Sequence, residues 1–213
     1  MLALGVGGMI FIWMIYLHRR ARALNQSFDQ IQKWLPLHSE PARRPAIWLA
    51  VRSLEPETVR VALAGRDEFF VSPRVNGWVI VTGPGLPNPG DDVDECFLFL
   101  AAVSRNLGHV QFFHAEKFST HHAWVRMDDG CVTRAYAWAG ETIWNQGAKT
   151  MVEIEMGVKC FGYGENSDAA FWTTNENAAA NVEKVPLLAA RWSIDPVILH
   201  RADDITGESS RLY

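Results

Sequence analysis

The chain has 213 residues, of which 48% are hydrophobic and 21% charged, with 20 basic and 24 acidic side chains and a formal net charge of −4. That composition belongs to a globular protein, and the length holds one domain of ordinary size plus appendages. It excludes a globally basic nucleic-acid binder, because phosphate recognition needs a cationic face that releases counterions.

Residues 1–17, MLALGVGGMIFIWMIYL, carry no charge and run directly into HRRAR. At about 1.5 Å per residue a helix here spans roughly 25 Å, and snorkelling of Arg19 and Arg20 extends it toward a hydrocarbon core of about 30 Å. A cleavable signal peptide carries its positive charge before the apolar stretch, whereas here the charge follows it. The expectation is a retained single-pass anchor in the plasma (inner) membrane. The positive-inside rule then places the N-terminus outside and the following domain in the cytoplasm, with Trp13 and Tyr16 at the cytoplasmic interface. Membrane lipid is therefore an expected partner. Ala3 and Gly7 have small-xxx-small spacing, a weak route to a homodimer through the membrane helix.

Leu24, Phe28, Ile31 and Leu35 recur at helical spacing, so residues 18–35 read as a juxtamembrane amphipathic helix that Pro36 stops. Residues 36–45, PLHSEPARRP, read as a linker. Cys96, Cys131 and Cys160 form no C-x-x-C pair, and their odd number fits reduced thiols in a cytosolic compartment. One disulfide beside a free thiol is the alternative.

Residues 46–213 read as a cytoplasmic α+β domain. AIWLAVRS is a short strand, and EPETVRVALAG a helix with Pro56 in its first turn. FFVSPRV and GWVIVTG are joined by Asn76-Gly77, a two-residue hairpin signal. DDVDECFLFLAAVSRNLG is a helix with carboxylates at its start and Gly108 at its exit. HVQFF, HHAWVRM and CVTRAYAW follow as strands, the last two linked through Asp128-Asp129-Gly130, with Met127 near Val132 and Val125 near Arg134. His121 should then lie near Trp138. Thr150 and Glu153 form a capping-box pattern for a short helix. Residues 162–181 read as a mobile loop, and EKVPLLAARWSI as a last helix with Pro186 near its first turn. The expected fold is a mostly antiparallel sheet with helices on one face.

The phrases NGWVIVTGPGLP, LGHVQFF, HAWVRMDDGCVTRAYAW and RWSIDP resemble those of a scattered group of uncharacterised bacterial proteins. The resemblance covers most of residues 46–197. It implies a shared fold and no particular chemistry.

The segment HVQFFHAEKFSTHH gathers four histidines. Strand alternation puts His109, Gln111 and Phe113 on one face and Val110, Phe112 and His114 on the other, while adjacent His121 and His122 oppose each other. A catalytic set would draw on His114, His121, His122 and Asp128. A zinc centre would combine His114 and His122 with Cys131, although no pair has the i, i+2 or i, i+4 spacing that two ligands on one element favour. Hydrogen-bonded or solvated strand histidines are the plainer expectation. No cofactor is required. TGPGLPNPG lacks a G-K-[ST] ending, and the helix it feeds opens with Asp91, Asp92, Asp94 and Glu95, which would repel an anion. Cys131 and Cys160 are the only thiols outside an apolar helix, and no serine-nucleophile motif occurs. Trp78, Trp124 and Trp138 fit core packing better than a ligand platform. The resulting expectation is a non-catalytic domain that binds a ligand or another protein, with a membrane-tethered, metal-dependent hydrolase as the rival.

Overall fold

The computed structural model describes residues 44–53, 55–63, 69–165 and 171–197, with side chains from 176 onward in the last stretch. The expected anchor and amphipathic helix, and most of the linker, lie outside the described residues. Among the described residues no helix is long and apolar enough to cross a membrane.

The fold is α+β, built on one seven-stranded antiparallel sheet of order β2-β3-β1-β4-β5-β6-β7. The strands are β1 (Ile47–Arg52), β2 (Phe70–Val71), β3 (Trp78–Thr82), β4 (Val110–Ala115), β5 (His122–Asp128), β6 (Cys131–Trp138) and β7 (Thr142–Gln146). Among the described residues four helices accompany them: α1 (Pro56–Ala62), α2 (Val93–Leu107), α3 (Met151–Glu155) and α4 (Phe171–Trp192).

The helices cover both faces of the sheet, which corrects the one-face expectation. Alternation explains why. In β1, Leu49 and Val51 point to one side, where they pack with Val59 of α1 and Leu100 and Val103 of α2. Trp48 and Ala50 point to the other side and pack with Val185, Leu188 and Ala189 of α4. A strand apolar at both parities has no face to give to water, so both faces need a cover.

The turns follow the sequence closely. Asn76 and Gly77 take φ of 51° and 84°, and Asp129 and Gly130 take 49° and 81°, the left-handed pairs of tight hairpins. Met127 pairs with Val132 as expected, and Val125 pairs with Ala135, within one pair of the expected Arg134, because a bulge between Arg126 and Met127 shifts the register by one. Trp138 consequently faces His122 and not His121. Asp92 caps α2 by accepting from the backbone N–H groups of Asp94 and Glu95. Thr150 and Glu153 form the full capping box of α3.

Two further expectations are corrected. The stretch 162–181 is not one loop, because α4 runs from Phe171 and is 22 residues long. Ala178, Asn181, Val182, Val185, Leu188 and Ala189 are buried at three- and four-residue spacings, so a continuous face docks on the sheet. That docking retains Pro186 inside the helix despite its missing N–H. The strand β7 was not expected from TIWNQ, which is short and half polar. It forms because β6 offers a partner edge.

Gly147 closes β7 at φ 77°, and a Cβ there would lie 2.5 Å from the carbonyl oxygen of Thr133. Gly140 has a similar φ of 82°, but a Cβ added there would meet nothing within 4 Å. Gly147→Ala is therefore expected to cost about 3 kcal/mol, combining the left-handed penalty with a forced backbone shift, and Gly140→Ala about 1 kcal/mol. Urea unfolding of the two full-length variants checks the difference.

Candidate functional site

On the α4 side of the sheet, the cross-strand register sorts the side chains into rows. At one end Trp78 pairs with Arg52, whose backbone N–H donates to the His109 carbonyl. The next row runs Ile80, Ala50, Gln111, Arg126, Arg134, and the one after it Trp48, Phe113, Trp124, Tyr136. His122 and Trp138 follow. The sheet face thus grades from polar at the α4 C-terminal end to aromatic at the other.

His122 sits at the aromatic end, 1% exposed. Its ring stacks on Trp124 at 5.7 Å and on Trp138 at 6.4 Å. Nδ1 donates to the Thr120 carbonyl at 2.9 Å, and Nε2 accepts from Asn181 Nδ2 at 3.2 Å. Both ring nitrogens are used, which defines a neutral tautomer. Burial pushes its pKa down to about 4, with the Thr120 bond opposing and the neighbouring histidines adding to the fall. Thr120 holds φ at 58°, costly for a β-branched residue, and so aims its carbonyl at the ring.

His114 lies on the other face, 2% exposed. Burial takes its pKa to about 4 as well, and Glu116 and Asp91 oppose that fall while His121 adds to it. Its Nε2 stands 3.9 Å from Glu116 Oε2, beyond hydrogen-bond reach. His121 belongs to this same side, and a Cβ on Gly90 would come within 3.2 Å of its Nδ1. The structure therefore brings His114 near His121, while the packed sheet stands between His114 and His122.

Asp128 and Cys131 face each other at the hairpin end of β5, opposite to the His122 end. Six residues of strand, roughly 20 Å, separate Asp128 from His122. Among the described residues no group of three or more His, Cys, Asp or Glu side chains is placed to hold a metal ion. The three cysteines are free. Burial raises the Cys96 thiol to about 12 and the Cys160 thiol to about 11, although Arg134 pulls the latter back, so neither is poised as a thiolate.

Asp128 has a different partner. Its Oδ1 pairs with His109 Nδ1, and His109 Nε2 accepts from Gln111 Nε2 at 2.9 Å. Gln111 also donates to the Trp192 carbonyl at 3.3 Å. Its Oε1 and the neighbouring Arg126 Nε are both buried without a partner among the described residues. The Arg126 guanidinium lies 5.1 Å over the Trp192 ring. In front of His109 opens a cleft of about 670 Å³ lined by Arg52, Ser53, Arg74, Asn76, Gly77 and Trp78.

Alternation had already put His109 and Gln111 on one face, but Arg52 and Arg74 belong to no motif. Their only sequence signal was their place beside Trp78 once β1 and β3 pair. Trp124 and Trp138 are core residues, as composition favoured, and Trp78 alone borders open space. Comparison of the chain with protein-family models, curated proteins and solved structures finds no match.

Proposed function

We propose that this protein is a membrane-tethered binding protein. Residues 1–17 anchor it, and the α+β domain, on the cytoplasmic side, engages a ligand or another protein without chemical turnover. The carrying observation is the separation of His114 from His122 by a packed sheet, with Asp128 and Cys131 at the far end of the strands. The side chains nominated for hydrolysis do not converge as a set: His114 lies near His121, His122 is on the opposite face, and Asp128 is at the far end of β5. The ring nitrogens of His122 are occupied, and the two thiols of raised pKa stay protonated at neutral pH. What supports the tether is the uncharged run followed at once by Arg19, Arg20 and Arg22.

Alkaline phosphatase fused after Tyr213 is expected to be inactive, and a fluorescent reporter at the same point active, in a membrane fraction released only by detergent. Active phosphatase would reverse the orientation. Metal analysis of the purified full-length chain addresses the chemistry. Stoichiometric zinc, lost on His122→Ala, would overturn this reading in favour of the metal-dependent rival.

A further inference from the structure

We infer that the cleft between Trp78 and His109 is a binding site for a small organic oxyanion, a phosphate or carboxylate group carried on a planar ring. This rests on the reading of the domain as a binding module and names its ligand class.

The charge comes first. Arg52 and Arg74 both line the cleft, and neither guanidinium forms a hydrogen bond or ion pair with any described residue. Arg44, Arg60 and Arg191 are paired with Asp195, Glu57 and Glu155, whereas Arg105 on α2 is, like Arg52 and Arg74, exposed without an ion pair among the described residues; only Arg52 and Arg74 share a cleft. Among the described residues no carboxylate lines the cleft itself, and Asp128, the carboxylate beside it, is paired with His109. Two unspent guanidinium forks facing one concavity match a phosphate or carboxylate, which takes parallel N–H donors in one plane.

The position of Arg52 is not left to a loop. It is the last residue of β1, paired with Trp78 on one side and hydrogen-bonded through its backbone to His109 on the other. Asn76 and Gly77 form the hairpin tip beside Arg74. The charges are thus carried on the sheet end and on a tight turn, rigid elements that lower the ordering cost of binding.

The ring comes second. Trp78 is half-buried, and its ring meets His109 edge-on at 5.6 Å. It supplies an apolar wall next to the guanidinium groups, where a planar ligand body can stack. His109 closes the back of the cleft. Asp128 fixes its Nδ1, so the ring is oriented rather than free to turn. Behind it Gln111 Oε1 and Arg126 Nε, an acceptor and a donor, are each buried without a partner among the described residues.

The test is a titration of the full-length chain in detergent with phenyl phosphate, glycerol 1-phosphate and inorganic phosphate, followed by NMR of the tryptophan indole N–H signals. Saturable binding is expected, tightest for phenyl phosphate, with the Trp78 signal moving most. The double variant Arg52→Gln/Arg74→Gln, altered only at exposed side chains, should weaken all three ligands by about tenfold or more. Trp78→Ala should weaken phenyl phosphate about tenfold and glycerol 1-phosphate by no more than about twofold. Absence of saturable binding, or affinities unchanged in the double arginine variant, would overturn the site and leave the non-catalytic reading standing. Binding accompanied by release of phenol would keep the site and overturn that reading. Equal affinity for phenyl and glycerol phosphate would remove the planar ring from the assignment.

Discussion

Acidification from pH 7 to pH 4 is expected to remove about 5 kcal/mol of folding stability through His114 and His122 alone. Both are neutral and buried in the folded chain, with pKa values pushed from 6.5 to about 4. The unfolded chain therefore takes up protons first, as pH falls through 6.5, and the folded chain follows only near 4. A group with a depressed folded pKa stabilises fully above the unfolded value and loses that stability across the interval. The window is thus pH 6.5 to 4, and stability rises with pH within it. Urea midpoints of the full-length chain at half-unit steps measure the slope. His122→Gln, which retains a donor and an acceptor, should halve it. A flat profile between pH 6.5 and 4.5 would show that the two rings are not buried neutral.

Arg134→Met is expected to cost about 3–5 kcal/mol, because it strands a buried carboxylate. Glu153 Oε1 accepts from Arg134 Nε at 2.8 Å and from Trp124 Nε1 at 2.7 Å. Its Oε2 accepts from the Thr150 backbone N–H at 2.7 Å. Arg134 in turn serves the carbonyls of Ala135 and Gln146, the side chain of Asn145 and the sulfur of Cys160. One guanidinium therefore ties β6, β7, α3 and the segment after α3 together. Both side chains are almost wholly buried, so water cannot replace a lost partner. The double variant Arg134→Met/Glu153→Leu should lose less than the sum of the two single losses, since no charge is then left alone. Circular dichroism in urea reads the cycle, and strict additivity would mean the pair is not coupled.

The elements with local signals were legible in the sequence. Asn76-Gly77 and Asp129-Gly130 need left-handed backbone, and the structure supplies it at all four positions. Asp92 and the Thr150–Glu153 box announce helix starts through their own side chains. What depended on tertiary packing was harder to read. The early part of α4 looks like a loop because Asn, Thr and Ala carry little hydrophobic periodicity, and only the sheet beneath Ala178 and Asn181 makes them helical. Pro186 is tolerated for the same reason. The strand β7 depends on a free edge that no local pattern encodes.

The site divides in the same way. Alternation correctly placed His109 and Gln111 together and opposed His121 to His122. That His114 and His122 face apart needed the register of β4 against β5, which alternation within one strand does not supply. The bulge at Arg126 was invisible, and it moved Trp138 from His121 to His122. Arg52 and Arg74 join His109 only through the pairing of β1 with β3 and β4, a long-range fact. Glu153 was legible as a cap but not as the buried partner of Arg134.

Ring-nitrogen NMR of histidine in the full-length chain tests most directly whether the histidines are structural. At pH 7 His122 is expected as the neutral tautomer protonated at Nδ1, matching its bonds to Thr120 and Asn181. One equivalent of zinc should leave the His114 and His122 nitrogens unmoved. If instead both sets of signals shift together to metal-bound positions on adding zinc, the two rings share a site that the packed sheet forbids, and the reading of a non-catalytic binding domain fails.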